Sequence, residues 1–412
     1  MNILIVSQYF WPENFPINDF SLGLSERGHR VTVLTGIPNY PVGRFFDGYG
    51  FFRQARQNYH GIEVLRAPLL PRGRGRLRLS INYLSFAVLG SLTGPFLCRE
   101  PYDLVLVYEP SPITVGLVAW VMKLAKNAPM MFWVQDLWPE SLSATGMVRA
   151  RWILNLIGEL ARFIYARSDL ILVQSRAFFE PIEKFGVSRE RIVYLPNSAD
   201  SLYHPVDPDR DSPAAASLPD GFRVMFAGNI GAAQDFQTIL AAAERLTPYP
   251  DIHWVILGDG RDKDWVEDQV RRRRLTRNVH LIGRHPVQAM PGYFALAQAL
   301  LVTLRDDPIF SLTIPSKIQA YLACGRPIIA GLDGEGARVV REAGAGLAVP
   351  AGNPEALAGA VLELYNLSDK ERRAMGLAGR RYFEAHFERN LLLDRLVDYM
   401  NRVSMEAGRC AS

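Results

Sequence analysis

Residues 302–331 read VTLRDDPIFSLTIPSKIQAYLACGRPIIAG. An apolar strand leads into a polar loop, then into a helix that ends at CGRP, then into a second apolar strand. Pro315 suits the first turn of that helix, where no backbone N–H is needed. Ser316 and Lys317 then lie at a helix N-terminus, where free amides and the helix dipole favour an anion, and Lys317 adds a mobile positive charge. The segment predicts a phosphate or diphosphate site; an ordinary solvated helix cap is the alternative.

The same alternation of strand and helix continues along the chain. Apolar runs that predict buried strands occupy residues 3–6, 31–35, 62–66, 104–108, 131–134, 170–174, 224–227, 253–257, 279–282, 300–303, 328–330 and 347–349. Helical patterns lie between them, for example at 19–27, 114–125 and 152–165. This alternation predicts an α/β fold of parallel, doubly wound sheets with helices on both faces.

The alternation lapses at residues 200–219, which are rich in Asp, Pro, Ala and Ser and predict a linker. A length of 412 residues also fits two domains. We therefore expect Rossmann-like domains at 1–198 and 199–382, with a helix at 383–405 that packs back on the first. Two such sheets facing each other would form a cleft at the carboxyl ends of their strands, where small ligands bind.

Composition excludes several classes of protein. The net charge of +4 is mild, and no Lys/Arg tract with interleaved aromatics indicates nucleic-acid binding. Cys98, Cys324 and Cys410 are far apart and form no metal or redox motif, a pattern that suits a reducing cytoplasm. The N-terminus, MNILIVSQYF, has the pattern of a first strand rather than a secretory signal.

One segment, residues 72–98, has an unusual charge pattern. The stretch from position 64 to position 99, which contains this segment, is rich in arginine and has no acidic residue. The arginines are Arg66, Arg72, Arg74, Arg76, Arg78 and Arg99. Apolar residues follow at helical spacing: Leu77, Ile81, Leu84, Val88 and Leu92. The segment predicts a contact with an anionic membrane surface. A core helix behind a solvated basic loop is the alternative, and interspersed polar residues make a spanning helix a poor fit.

Loops of the second domain carry small and polar residues at the ends of strands. Gly228 and Gly231 follow strand 224–227, but their spacing is not that of a dinucleotide-binding fingerprint. Asp259 lies in a GDG turn, and Arg284 follows the next strand. Each of these alone is typical of a structural turn. Together with the segment at Lys317 they would surround one point with four loops.

The first domain supplies acids where its strands end. Glu109 ends the strand before EPSP, and Asp136 follows the strand in FWVQD. Such acids could orient a hydroxyl group or act as a base, although capping of the next helix is the alternative. We prefer Asp136 because tryptophans flank it. The loop after the first strand would add three polar residues near the cleft: Glu13, Asn14 and Asn18.

The chain carries a series of motifs that together point to one protein family. From the N-terminus onward they are QYFWPENFPINDF, RGHRVTVLTG with PNYP, VYEPSP, VQDLWPES, LPNSAD, AGNIG, LGDG and PSKIQAYLACGRPIIA. Over essentially its whole length the chain resembles the bacterial cell-surface-polysaccharide glycosyltransferases of retaining family four. It most resembles the O-antigen and colanic-acid subgroup that includes fucosamine transferases. The resemblance implies a GT-B architecture, a nucleotide-sugar donor held by the second domain and an acceptor held by the first. It also implies retaining chemistry without a metal or other cofactor.

The chain departs from the family's pattern at the donor site. Many members carry an arginine and a lysine that bind the diphosphate, and the matching positions here are Asn229 and Gln234. Many also carry two glutamates eight positions apart, which correspond to Leu312 and Ala320. Those roles cannot be carried over to these side chains.

Other residues must then hold the donor. We expect Lys317 to supply the diphosphate charge, with help from Arg284 or Arg305, because a fixed cation stabilises the negative charge of a leaving diphosphate. An apolar Leu312 would suit a deoxy or acetamido sugar. The remaining predicted donor contacts are Phe310, Ser311, Thr313 and Ser316.

The sequence thus predicts a retaining, metal-independent glycosyltransferase at the cytoplasmic face of the plasma membrane. It would move an N-acetylated deoxyhexosamine, of the L-fucosamine type, from a UDP-sugar to a lipid-linked or growing saccharide. Two alternatives remain open. A nucleotide-sugar epimerase could have the same architecture without an acceptor, and a non-catalytic assembly partner would explain the missing glutamates.

Overall fold

The computed structural model describes residues 1–144, 148, 150–209 and 211–411; the side chain of Cys410 lies outside the described part. The strands are β1 (Asn2–Val6), β2 (Arg30–Thr35), β3 (Arg56–Tyr59), β4 (Ile62–Arg66), β5 (Leu104–Glu109), β6 (Met130–Val134), β7 (Leu170–Val173), β8 (Ile192–Tyr194), β9 (Phe222–Ala227), β10 (Ile252–Leu257), β11 (Val279–Gly283), β12 (Ala299–Thr303), β13 (Ile328–Gly331) and β14 (Gly346–Val349).

The helices are α1 (Pro16–Glu26), α2 (Arg76–Leu97), α3 (Val115–Lys126), α4 (Glu140–Ala144), α5 (Arg151–Arg167), α6 (Phe179–Glu183), α7 (Pro213–Ala216), α8 (Phe236–Arg245), α9 (Lys263–Arg272), α10 (Met290–Leu296), α11 (Pro308–Ser311), α12 (Ser316–Ala323), α13 (Gly334–Glu342), α14 (Pro354–Asn366), α15 (Asp369–His386) and α16 (Arg389–Ala411). Among them, none is long and apolar enough to span a bilayer.

The chain forms two compact units. The first contains Met1–Pro196 together with the segment from Asn390 onward, and the second contains Asn197–Arg389. In the predicted linker at 200–219, α7 is the one helical segment of the described residues. The apolar runs expected to form strands do so in both units, which confirms the predicted α/β class with two Rossmann-like domains.

The sheet of the first unit has the order β3-β4-β2-β1-β5-β6-β7-β8. Its strands pair in parallel except β3, which pairs antiparallel with β4 at the edge. The sequence analysis missed two strands: β3, RQNY, has no apolar run, and β8, IVY, is very short. The strand order reverses at β1, between β2 and β5, so the loops after β1 and β5 flank the point where such sheets bind ligands.

Helices cover both faces of this sheet. On one face α1 and α16 pack together against β1 and β5, through Ile17, Phe20 and Leu24 of α1 and Leu392, Leu396 and Met400 of α16. Arg27 donates to Asp394 at 2.9 Å and ties the two helices together. On the other face lie α2, α3 and α5. A Cβ on Gly94 of α2 would meet Leu34 and Met122, and one on Gly116 of α3 would meet Ile164 and Phe132.

The sheet of the second unit is parallel, with the order β11-β10-β9-β12-β13-β14. Ile239 of α8 and Val361 of α14 belong to the core on one face, and Tyr321 of α12 and Val340 of α13 belong to the core on the other. The order reverses between β9 and β12. Loops that follow these two strands, residues 228–235 and 304–315, therefore lie where this sheet type binds ligands.

Candidate active site

Two glycine turns of the second unit form one paired structure. Gly228 N donates to Leu257 O at 2.9 Å, and Ile230 N donates to Asp259 O at 2.9 Å. The backbones are so close that a Cβ on Gly258 would lie 1.8 Å from Gly228 O, and one on Gly260 would lie 2.1 Å from Ile230 O. Gly258 also has a φ of 148°, which disfavours other residues. The GNIG and GDG motifs are thus required for this close approach.

Lys317 reaches this paired turn from the first turn of α12. Its Nζ donates to Gln234 Oε1 at 2.6 Å and lies 4.5 Å from the centre of the Phe226 ring. A Cβ on Gly228 would lie 2.7 Å from Lys317 Cε, so the side chain passes directly against that glycine. Burial lowers the pKa of Lys317 to about 8. Within the described residues, no carboxylate pairs with this ammonium group.

Three further residues join the cluster. Thr303 Oγ1, at the end of β12, donates to the Gln234 backbone oxygen at 2.5 Å, and Arg305 N donates to Ala233 O at 2.9 Å. Asn229 lies beside Gly231, where its Nδ2 would be 2.7 Å from an added Cβ. The structure therefore brings together Gly228, Asn229, Gly231, Gln234, Arg305 and Lys317 from the predicted set. Thr303 was missed, and its position at a strand end beside the switch point is the signal that could have identified it.

A cleft of about 310 Å³ lies next to this cluster, at the ends of β12 and β13. Its lining includes Arg305, Phe310 and Ser311, together with Asp307 and Asp333. Arg305 forms an ion pair with Asp307 at 3.6 Å. Leu312 and Thr313 follow α11 and lie outside this lining, and Thr313 Oγ1 donates to Phe310 O of its own turn.

Three predicted donor residues have other surroundings. The backbone oxygen of Asp259 belongs to the paired turn, but its side chain does not face Lys317: Asp259 Oδ1 accepts a hydrogen bond from Gly260 N at 2.8 Å, a local turn contact. Arg284 follows β11, which β10 separates from β9, and its side chain is exposed. In the described structure no contact joins Arg284 to Lys317. Ser316 is exposed at the start of α12.

The first unit places Glu109 and Asp136 on neighbouring strands. Glu109 ends β5 opposite Val134 of β6, and Gln135 N donates to Glu109 O at 3.2 Å. Asp136 is therefore one residue beyond that contact and remains partly exposed, whereas Glu109 is fully buried. Burial raises the pKa of Asp136 to about 6. Burial, and secondly the charge of Asp136, raise the pKa of Glu109 well above its usual range.

The loop after β1 is held by a buried acid. Glu13 Oε1 accepts hydrogen bonds from Asn39 N at 2.7 Å and Tyr40 N at 2.6 Å, which fastens the PNYP segment to this loop. Burial raises the pKa of Glu13 to about 7, against the opposing effect of these hydrogen bonds. Asn18 donates to Glu13 O at 2.7 Å, while Asn14 is exposed. Glu13 and Asn18 thus shape the loop, and Asn14 is left free to solvent.

In the part of the chain that the structure describes, no group of three or more His, Cys, Asp or Glu side chains is arranged to hold a metal ion. The predicted site residues fall into two separate sets, one in each unit. One is the Lys317 cluster with its neighbouring cleft, at the β9/β12 switch point. The other is the acid pair at the ends of β5 and β6.

Two family models match the chain and together span most of it. One is described as "Glycosyl transferase 4-like domain" and matches residues 17–198; the other, "Glycosyl transferases group 1", matches residues 221–367. The putative colanic acid biosynthesis glycosyl transferase WcaI of Escherichia coli is 25% identical over 339 residues, which cover 79% of this chain and 82% of that protein. The probable glycosyltransferase WbjE of Pseudomonas aeruginosa is 28% identical over 299 residues, which cover 71% and 72%.

Solved structures share the fold at low sequence identity. Sucrose-phosphate synthase from Thermosynechococcus elongatus has a TM-score of 0.73 and 17% identity, with 98% of each chain covered. The glycosyltransferase WaaG of lipopolysaccharide biosynthesis has a TM-score of 0.65 and 13% identity, with 97% of this chain and 99% of that chain covered. The chain is therefore a glycosyltransferase whose two domains match the "4-like" and "group 1" models in turn, and its two units have the GT-B fold.

Proposed function

We propose that this glycosyltransferase uses a UDP-sugar donor whose diphosphate binds at Lys317. The observation that carries the proposal is the ammonium group of Lys317, which is shielded from solvent beside Gly228 and pairs with an amide and a ring instead of a carboxylate. A desolvated cation is stabilised when an anion binds beside it. Two phosphate groups would supply that missing charge.

The surroundings of Lys317 support a role in the reaction as well as in binding. Breaking a sugar–phosphate bond leaves negative charge on the diphosphate, and a cation already in place stabilises that charge in the transition state. The N-terminus of α12, which no side chain caps, lies at the same edge of the sheet, and its dipole favours an anion there. Neither contribution requires a metal ion.

The proposed base of the donor is supported by a structural neighbour, and the proposed sugar by the cleft beside Lys317. A structural neighbour, HepE of Anabaena, was solved with UDP and glucose, with a TM-score of 0.69 and 16% identity. The cleft beside Lys317 could hold the sugar between Arg305, Phe310 and Ser311. We propose an N-acetylated deoxyhexosamine, since the apolar Leu312 takes the place of a residue that would bind a hydroxyl group. Retention of configuration is proposed from the resemblance to the family.

We propose that Asp136 acts on the acceptor. It is the partly exposed member of the acid pair at the ends of β5 and β6, so its carboxylate can contact a hydroxyl group. The name of the relative WcaI refers to colanic acid biosynthesis. By this likeness the acceptor would be a lipid-linked or growing saccharide of a cell-surface polysaccharide, such as an O antigen.

The structure of α2 supports the proposed membrane contact of residues 72–98. The helix buries its small residues, Ala87, Gly90 and Gly94, together with Phe86 and Asn82. A Cβ on Gly90 would lie 3.1 Å from Val118 of α3, so small residues allow close helix packing. The larger apolar side chains point outward instead. This is the reverse of the usual amphipathic helix of a soluble protein.

The exposed stripe of α2 consists of Leu77, Ile81, Leu84, Val88, Leu92 and Phe96. Leu77 is 75% exposed and Phe96 is 77% exposed, at opposite ends of a helix that is roughly 33 Å long at 1.5 Å per residue. An apolar stripe of this size next to Arg72, Arg74, Arg76 and Arg78 fits an anionic bilayer surface. We therefore propose peripheral binding at the cytoplasmic face of the plasma membrane, where a lipid-linked acceptor would lie.

A screen against nucleotide sugars tests the proposed donor. Purified protein should show a higher melting temperature with UDP-sugars than with GDP- or dTDP-sugars, since a ligand that binds the native state stabilises it. The protein should also release UDP slowly from its preferred donor in the absence of an acceptor. A larger shift with another nucleotide would contradict the proposed base. Stabilisation without any release of nucleotide would favour an assembly partner.

A further inference from the structure

The loop between β2 and β3 contains a turn whose two central residues are phenylalanines. Arg53 N donates to Gly50 O at 3.1 Å and closes a four-residue β-turn at residues 50–53, called here the aromatic turn. Central turn positions ordinarily carry Gly, Pro, Asn, Asp or Ser. Here Phe52 is 97% exposed and Phe51 is 44% exposed. Exposed apolar side chains that cluster in this way indicate a contact site.

Contacts within the first unit hold the aromatic turn in place. Gln57 Nε2 of β3 donates to the Tyr49 hydroxyl at 3.3 Å, and the Arg66 guanidinium of β4 lies 5.1 Å from the centre of the Tyr49 ring. The residue before the turn is therefore anchored to two strands, whereas the phenylalanines that follow it are left exposed.

The same loop is joined to the basic segment that precedes α2. Gly73 N donates to Gly43 O at 2.7 Å, and a Cβ on Gly43 would lie 2.7 Å from Gly73 O. Gly43 has a φ of 83°, a conformation that glycine adopts without strain. The exposed Val42 precedes this contact. The loop and the start of residues 72–98 thus form a continuous surface at this point.

The charges of this surface fit an anionic partner. Arg44 and Arg53 are exposed on the loop, and Asp47 is the one acid between positions 40 and 53. The neighbouring segment adds the four arginines at positions 72–78. Apolar side chains bordered by arginines are typical of a bilayer contact, in which the apolar groups enter the acyl boundary and the cations stay among anionic headgroups. A wholly polar anionic partner would leave the phenylalanines in water.

We propose that Phe51 and Phe52 insert into an anionic lipid bilayer and form a second membrane contact beside α2. This inference rests on the proposed membrane contact of residues 72–98, and it adds an apolar anchor on a different element. A helix that lies on a bilayer can roll about its own axis, whereas a second point of insertion prevents that rotation. The first unit would then keep one orientation toward a lipid-linked acceptor.

An environment-sensitive fluorophore at position 52 tests the insertion. The probe is attached to Phe52→Cys in a Cys410→Ser background, because Cys98 and Cys324 are buried. On vesicles of phosphatidylglycerol and phosphatidylcholine in equal parts its emission should shift to the blue, and a spin label on the acyl chains should quench it more than one on the headgroups. The same probe on Leu377→Cys, at an exposed position of α15, should show no shift.

Co-sedimentation with the same vesicles separates the two possible failures. If the labelled protein sediments with the vesicles while the probe at position 52 keeps its emission in water, the inference is overturned and the contact of residues 72–98 stands. If the protein does not sediment with vesicles at low salt, the proposed membrane contact itself fails, and this inference fails with it.

A double change, Phe51→Ser with Phe52→Ser, tests the same contact without a label. It should lower partitioning to these vesicles about 10- to 100-fold at low salt, because two apolar side chains no longer leave water. The melting temperature should stay that of the wild type, since both side chains are exposed. Unchanged partitioning would overturn the inference. So would self-association of the wild type without vesicles that the double change abolishes, because the surface would then join two copies of the chain.

Discussion

At the scale of single residues, Lys317 is the most informative position. Lys317→Ala removes one charge-assisted contact to the diphosphate, which should cost about 1.5–3 kcal/mol in donor binding and slow transfer as well. Calorimetric titration with the UDP-sugar and steady-state kinetics measure the two effects. Lys370→Ala, an exposed lysine on α15, is the matched control and should behave as wild type. Normal binding and turnover in Lys317→Ala would show that the diphosphate is held elsewhere.

The lowered pKa of Lys317, about 8, also predicts a pH dependence. A diphosphate prefers the protonated ammonium group, so donor affinity should be constant below pH 8 and fall about tenfold per pH unit above it. Lys317→Arg keeps its charge at all these pH values and should flatten the decline if it still binds donor. Calorimetry between pH 6.5 and 9.5 measures the profile. An equally steep fall in Lys317→Arg would assign the titration to another group.

The sequence predicted Lys317 from its position after Pro315, but it could not predict the partner of the lysine. Gln234 is 83 residues away in the chain, and only the fold brings the two together. Thr303 was missed although it ends a predicted strand, because its hydrogen bond to the Gln234 backbone is visible only in the fold. Asp259 and Arg284 were predicted as donor contacts because they follow strands. In the structure the Asp259 side chain accepts a hydrogen bond within its own turn, and Arg284 follows β11, which β10 separates from β9 and the Lys317 cluster.

At the scale of secondary-structure elements, α2 offers a test of the membrane contact. Changing Arg72, Arg74, Arg76 and Arg78 to serine should reduce partitioning to anionic vesicles roughly 1,000-fold, at about 1 kcal/mol per arginine. High salt should release the wild-type protein in the same way, because it screens the attraction. Vesicle co-sedimentation at low and high salt measures both. Activity on a soluble acceptor should be preserved.

The chain contains a matched control for this experiment. Residues 271–274 are also four arginines, here consecutive in the chain, but Arg272 pairs with Asp268 at 2.8 Å and Arg273 with Glu244 at 3.5 Å. Their change to serine should leave vesicle binding intact. If it releases the protein while the four changes at 72–78 do not, the second unit carries the basic contact.

The apolar stripe of α2 is a separate part of the same surface. Changing Leu84, Val88 and Leu92 to serine should weaken binding even at low salt, with little loss of stability, because these side chains are exposed. Leu377→Ser, at an exposed apolar residue of α15, is the control.

The helical spacing predicted α2, but it could not show which face of α2 is buried. Small residues such as Ala87, Gly90 and Gly94 contribute little to an apolar pattern in the sequence, yet they form the buried face of α2.

At the scale of the whole molecule, the strand order was predictable only in part. Continuous apolar runs gave the two doubly wound sheets, because parallel strands are buried on both faces. The edge strand β3, RQNY, lacks such a run, since an edge strand needs less apolar surface, and the edge strand β8, IVY, has only three residues. Buried acids were also beyond prediction: Glu13 and Glu109 have ordinary sequence surroundings, and tertiary packing alone removes them from water.

These buried acids give the molecule an unusual dependence of stability on pH. Glu13 binds its proton in the native state up to a pKa of about 7, whereas the unfolded chain releases it near 4.5. Between these values the native state holds more protons than the unfolded state, so the free energy of unfolding falls as pH rises. The slope for one such group is about 1.4 kcal/mol per pH unit. The stabilisation is therefore fully present below pH 4.5 and lost above pH 7.

Glu13→Gln should remove this slope without breaking the loop, because the amide oxygen can still accept hydrogen bonds from Asn39 N and Tyr40 N. Urea unfolding at several pH values between 4.5 and 7.5, followed by tryptophan fluorescence, measures the change; Glu190→Gln, at an exposed acid, is the control. The variant should lose less stability than the wild type as pH rises. Equal slopes in the two proteins would mean that Glu13 is ionised in the native state and that its two hydrogen bonds outweigh the cost of burial.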